Sequence, residues 1–141
     1  MAIERQAHAT WEGDLRSGTG RFDVGSGAIT GQEVTFASRF EDSGGKTSPE
    51  ELIGAAHAAC YSMALSHEIA QAGGTPGSTS VTAKVTFAAG EDGVGISGVA
   101  LSVSGSAEGL GADGFRQAAE AAKDGCPVSR ALAVPITLTI E

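Results

Sequence analysis

The chain has 141 residues, with 9 Lys and Arg against 17 Asp and Glu and a formal charge of −8. That length fits a single domain, residues 1–141, able to bury a core without disulfide or metal staples. The acidic balance repels phosphate backbones and anionic lipid, which argues against nucleic acid and membrane surfaces as partners.

In chain order, "QAHATWEG" and "GRFDVGSG" read as the two short strands of a hairpin, and "EVTFASRF" alternates well enough for a third strand. "EDSGGKT" is a loop of turn-forming residues. A long helix follows from "SPEELIGAAHAACYSMALSHE" and stops near "AGGTPG". Ser48 is its natural N-cap, Pro49 suits the first turn, and Glu51 completes a capping box. Glu50 is left without a structural task beyond the general preference for carboxylates in a first turn.

"SVTAKVTFAA" places Val81, Ala83, Val85 and Phe87 on one strand face, and "SGVALSVSG" does the same with Val99, Leu101 and Val103. A second helix, "DGFRQAAEAAKDG", sets Phe115, Ala118, Ala119 and Ala122 in one stripe, with Arg116 and Glu120 spaced to pair on its wet side. "VPITLTIE" closes the chain with Val134, Ile136, Leu138 and Ile140 on one side. The expected class is α+β with largely antiparallel sheet. The long helix is apolar nearly all round, and one sheet can cover only one of its sides. A homodimer is therefore expected, with the helix in its interface.

No apolar run approaches the roughly 20 residues that span a bilayer. "MAIERQAHATWEGD" lacks the charged start and apolar stretch of a secretory signal. A cytoplasmic location is expected, where two cysteines do not form a permanent staple. Cys60, in an alanine-rich helix, reads first as a small buried hydrophobe. His57, three residues earlier, raises a Cys–His pair or a zinc site as other readings. Zinc lacks ligands, since only Cys60, His57 and the remote Cys126 are on offer. Cysteine-hydrolase chemistry lacks an evident orienting group and oxyanion site, and His57 reads as a packed or interfacial side chain. Cys126 sits in "KDGCPVSRAL", held extended by Pro127 and placed to cap a short helix, with Arg130 one turn on.

Together, "SPEELIGAAHAACYSMALS" and "GCPVSRAL" closely resemble the osmotically inducible protein C (OsmC) family, related to the organic hydroperoxide resistance (Ohr) proteins. "AHATWEGDLRSGTGRF" and "SRFEDSGGKTSPEELIGAA" extend the resemblance over essentially the whole chain. It implies sheets wrapped around a long central helix in an intertwined homodimer. It also implies a thiol-dependent peroxidase that reduces organic hydroperoxides to alcohols. Carried over, Cys60 attacks the peroxide and becomes a sulfenic acid, and Cys126 resolves it as an intramolecular disulfide. The family glutamate falls on Glu50 and the arginine on Arg39, with Arg16 and Arg21 as the other positions for that arginine. No bound cofactor or metal is implied, only an external dithiol reductant, a lipoyl group or a similar thiol. The rival is a non-catalytic domain of the same fold that binds an apolar ligand or serves under stress.

Geometry adds one expectation. Ten residues of unbroken helix rise about 15 Å, so Glu50 does not reach Cys60 of its own chain. A composite site is expected, with Cys60 and Cys126 from one subunit and Glu50 and Arg39 from the other.

Overall fold

The computed structural model describes residues 1–141, which pack as two compact units, Met1–Leu52 and Ile53–Glu141. In the first unit, β1 (Ala7–Glu12), β2 (Thr19–Val24) and β3 (Gln32–Thr35) form an antiparallel sheet in that order. Trp11 faces Gly20 across β1 and β2. A Cβ at Gly20 would lie 2.8 Å from the Trp11 ring and 2.9 Å from Val34. The missing side chain is therefore what admits the indole. Asp14 closes the turn, its carboxylate accepting from the backbone of Arg16 and Ser17 at 2.9 Å and from the Ser17 hydroxyl. Those bonds, the Ser17 hydroxyl first, hold its carboxyl below the usual range.

"EVTFASRF" is not one strand. The chain leaves β3 at Thr35 and turns into a short helix, α1 (Phe36–Phe40). The cause is a reciprocal cap: Thr35 Oγ1 accepts from Ser38 N at 3.2 Å, and Ser38 Oγ accepts from Thr35 N at 2.9 Å. Phe36 and Phe40, four apart, then stack with ring centroids 4.4 Å apart. As a result Arg39 is carried by a helix rather than a strand.

The long helix is α2 (Pro49–Gln71). Ser48 Oγ accepts from Glu51 N at 3.1 Å, as an N-cap should. At its end Gly73 takes a φ of 84°. Gly73 N donates to Ala70 O and Gly74 N to Ile69 O, each at 3.0 Å, a Schellman ending that only a left-handed residue permits.

In the second unit, β4 (Thr75–Gly90) and β5 (Gly93–Glu108) make a long antiparallel hairpin, and β6 (Ile136–Ile140) joins β5 in parallel. β4 starts five residues before the alternating segment, running through Pro76 and Gly77 with an irregularity between Pro76 and Thr79. Between β5 and β6 lie α3 (Ala112–Gly125) and α4 (Pro127–Ala131). On α3, Glu120 pairs with Lys123 at 3.3 Å, not with Arg116. The three-residue step to Lys123 supplies the nearer cation.

The core of this unit joins Tyr61, Leu65 and Ile69 of α2 to Val99, Leu101 and Val103 of β5 and to Phe115, Ala118, Ala119 and Ala122 of α3. Gly54 lets α2 come close to the sheet, since a Cβ there would lie 3.2 Å from Ala83 O. The Tyr61 hydroxyl donates to Ala119 O at 3.0 Å, tying α2 to α3. On the opposite side of α2, Ala55, Ala56 and Ala59 are exposed, and Met63 is 75% exposed. No helix is long and apolar enough to cross a membrane.

Candidate active site

The first cluster lies in the Met1–Leu52 unit. α1 presents Arg39, and the first turn of α2 presents Glu50. Arg39 Nε donates to Glu50 Oε1 at 3.0 Å, with Oε2 at 3.3 Å, and Nη2 donates to Oε1 at 2.7 Å. The capping of α2 by Ser48 fixes where Glu50 points, and the carboxylate is only 7% exposed. A planar guanidinium held along its edge in this way cannot rotate freely. Arg39 also lies over Phe40, 5.5 Å from the ring centre. Of the other two arginines in question, Arg16 stacks over Phe36 at 5.0 Å, and Arg21 pairs with Glu33 at 3.1 Å. Arg39 is the one joined to Glu50.

The second cluster lies in the Ile53–Glu141 unit. Cys60 on α2 and Cys126 between α3 and α4 are both free thiols. Each shifts the ionisation of the other, with Cys126 fully buried and Cys60 packed against the same core. Cys126 N donates to Ala122 O at 2.9 Å, closing α3, while the residue also opens α4 ahead of Pro127. Its thiol makes no conventional capping bond.

The two thiols are not equivalent. Burial pushes Cys60 up, and the neighbouring Cys126 adds to that, against one favourable contact from the Val128 N–H. Burial also opposes ionisation of Cys126. It is outweighed by the Ser129 N–H, the Cys60 thiol, the Ser129 side chain and the Val128 N–H, so that Cys126 lies below its usual value. Within one chain Cys126 is therefore the more readily ionised of the two thiols. Tyr61 is raised by burial first, then by the charges of Glu120 and Cys126, and remains a phenol.

His57 is completely buried, and its Nε2 lies 2.7 Å from Ser129 Oγ. Burial lowers its pKa and keeps the imidazole neutral. It is packed, as its place in the sequence suggests, but not idle. Ser129 was not singled out from the sequence. Its only local signal is its position three residues after Cys126, one helical turn on.

Comparison with known proteins places this arrangement. A family model described as OsmC-like protein matches residues 41–141. Over its full length the chain is 44% identical to the Peroxiredoxin OsmC of Escherichia coli (strain K12), covering 98% of that protein. The chain belongs to the OsmC family. The Peroxiredoxin OsmC of Shigella flexneri is equally similar. Among solved structures, an organic hydroperoxide resistance protein OsmC from Legionella pneumophila superposes with a TM-score of 0.75 at 26% identity, covering 100% of this chain and 99% of that one. The organic hydroperoxide resistance protein OhrB of Bacillus subtilis gives a TM-score of 0.75 at 24% identity over 96% of this chain and 98% of its own, a likeness of fold. This OsmC family member therefore stands among peroxidases, on an α+β fold with mainly antiparallel sheet.

Proposed function

We propose that the protein is a thiol peroxidase that reduces organic hydroperoxides to alcohols, with Cys60 as the attacking sulfur and Cys126 as the resolving one. The observation that carries this reading is the thiol pair itself. Two free cysteines, 66 positions apart in sequence, share one apolar core, close enough for each to shift the other's ionisation. A relative at 44% identity is named Peroxiredoxin OsmC, and a solved relative at 26% identity is named for organic hydroperoxide resistance.

Chemically, the Cys60 thiolate attacks one peroxide oxygen. The O–O bond breaks, and the alcohol leaves as an alkoxide that takes up a proton. Cys60 is left as a sulfenic acid, which Cys126 converts to a disulfide with loss of water. An external dithiol reopens the disulfide by exchange. No metal or bound cofactor enters the cycle.

Attack requires an ionised Cys60, and a free thiol is only about 3% ionised at pH 7. Burial moves Cys60 the wrong way. A guanidinium brought beside it corrects this. Lowering the pKa by about three units, worth roughly 4 kcal/mol, leaves the sulfur mostly anionic at neutrality. The same cation stabilises the leaving alkoxide. α2 runs unbroken from Pro49 to Gln71, so Glu50 stands about 15 Å of helix rise from Cys60. The Arg39–Glu50 pair that serves Cys60 is therefore taken from a second copy. The exposed alanines and Met63 on α2 give that copy an apolar face to cover.

The test is a thiol count after one equivalent of cumene hydroperoxide. Loss of both thiols per chain, reversed by a dithiol, is expected. Retention of both removes the peroxidase reading.

A further inference from the structure

The hydrogen bond between His57 and Ser129 has no part in the peroxidase cycle as described, yet it joins the two cysteine-bearing turns. His57 stands one turn before Cys60 on α2, and Ser129 stands one turn after Cys126 on α4. Nε2 and Oγ are 2.7 Å apart across 72 positions of sequence. His57 is 0% exposed and Ser129 9%. The other ring nitrogen, Nδ1, is buried and has no partner. An orphaned lone pair is better tolerated than an orphaned N–H. The proton therefore belongs on Nε2, which donates to Ser129 Oγ. With its oxygen so occupied, the Ser129 hydroxyl hydrogen is available to the sulfur of Cys126, one helical turn earlier at the start of α4, whose ionisation the Ser129 side chain favours.

We propose that His57 and Ser129 are positioning residues for the second thiol: His57 Nε2–H fixes the Ser129 hydroxyl, which donates to Cys126 Sγ and holds the Cys126 turn against Cys60. The role rests on the assignment of Cys126 as resolving cysteine. In that step the Cys126 sulfur lone pair attacks the Cys60 sulfenic sulfur. The S–S bond forms, the S–O bond breaks, and the departing hydroxide takes a proton to leave as water. Ser129 keeps its own proton throughout. By stabilising the Cys126 thiolate, it keeps the attacking sulfur ready while the sulfenic acid is open to a second peroxide.

The Ser129 and Val128 N–H groups also favour an anion at Cys126, but no other side chain near it does so by donating a hydroxyl hydrogen. Cys60 and Tyr61 face it from α2, and Tyr61 stays protonated. On α3, Lys123 is engaged by Glu120 and Asp124, and Arg130 of α4 is exposed.

The test begins without peroxide. In a Cys60→Ser protein, the Cys126 thiolate is titrated by its ultraviolet absorbance. Ser129→Ala should raise the midpoint by about one to two pH units, the effect of one hydrogen bond to an anion. His57→Leu should raise it too, His57→Gln should restore it by keeping an N–H at similar reach, and the Ser129→Ala/His57→Leu double variant should go no further than Ser129→Ala. Should His57→Leu disturb packing, Ser129→Ala, which loses one oxygen atom, carries the comparison alone. An unmoved midpoint in a folded Ser129→Ala protein overturns the proposal.

With both cysteines present, dimedone should trap several-fold more Cys60 sulfenic acid in Ser129→Ala than in the wild type, at an unchanged rate of sulfenic acid formation. Equal trapping also overturns it. A wild type that forms no sulfenic acid would instead defeat the peroxidase reading, while the titration still decides the role of the pair.

Discussion

Replacing Glu50 with Gln is the most direct probe of the Arg39 clamp. The carboxylate receives Nε and Nη2 of one guanidinium, the shorter contact at 2.7 Å, and is 7% exposed. Glutamine keeps the shape but offers one acceptor oxygen and turns an NH2 group toward a cation that can only donate. A hydrogen bond to a charged group is worth about 1.5–3 kcal/mol. The Arg39 side chain is 36% exposed, so solvent recovers part of the loss from folding stability. Stability should fall by only about 1 kcal/mol. Under the proposed mechanism activity has no such relief, because there a guanidinium swung toward water no longer serves the reacting sulfur. Losing about 2–3 kcal/mol of transition-state stabilisation lowers kcat/KM roughly 30- to 150-fold. The assay is hydroperoxide consumption under a saturating dithiol, beside a urea midpoint for each protein. A folded Glu50→Gln protein within threefold of wild type would refute the clamp as a working part of the site.

Mixing Cys60→Ser and Glu50→Ala proteins, each inactive alone, should restore about a quarter of wild-type activity, because half the dimers are mixed and each holds one intact site; no recovery after proven subunit exchange refutes the composite site. His57 has a folded pKa below its ordinary 6.5. Its contribution to stability is therefore whole above pH 6.5 and lost as pH falls through the lowered folded value, where the unfolded chain already binds the proton. His57→Gln should flatten that part of the urea-midpoint profile. Gly54→Val should destabilise the fold by about 1–3 kcal/mol, because its first added carbon would lie 3.2 Å from the Ala83 carbonyl and 3.5 Å from Val85, leaving no room for two further methyl groups. A stable Gly54→Val protein with normal activity contradicts the close approach of α2 to β4.

Much of this fold is written in local pattern. The alternation of Val99 to Val103 and the stripe of Phe115, Ala118, Ala119 and Ala122 each name a face that becomes buried, and that of Val81 to Phe87 names one that is half-buried. What failed had a stronger local competitor. In "EVTFASRF" the alternation continues through Phe36, but Thr35 and Ser38 cap each other's backbone and make a helix there. Serine does what a capping box normally asks of Glu or Gln, so the signal is easy to pass over. The start of β4 is hidden by Pro76 and Gly77, residues that a strand tolerates only where its ladder is irregular. Motif resemblance is what nominates Arg39, Glu50 and the two cysteines, and of these the structure shows Arg39 bonded to Glu50. The His57–Ser129 bond was not. Nothing local in either helix says that two residues 72 apart will meet.

The electrostatics of the thiol pair give the proposed dimer a chemical purpose beyond covering alanines. Within one chain, the N–H groups of Ser129 and Val128 and the Ser129 side chain favour an anion at Cys126, while burial disfavours one at Cys60. That order suits the second step and works against the first. A cation that reaches only Cys60 reverses it, and no lysine or arginine is among the groups that shift either thiol within the chain. Under the proposed mechanism, a partner's Arg39, held by that partner's Glu50, supplies the reversal. Once Cys60 has become a neutral sulfenic acid, the cation no longer competes with Cys126 for the negative charge. The local groups that favour an anion at Cys126 then make it the nucleophile, and the order of the two steps follows from the order in which the two sulfurs can hold a charge.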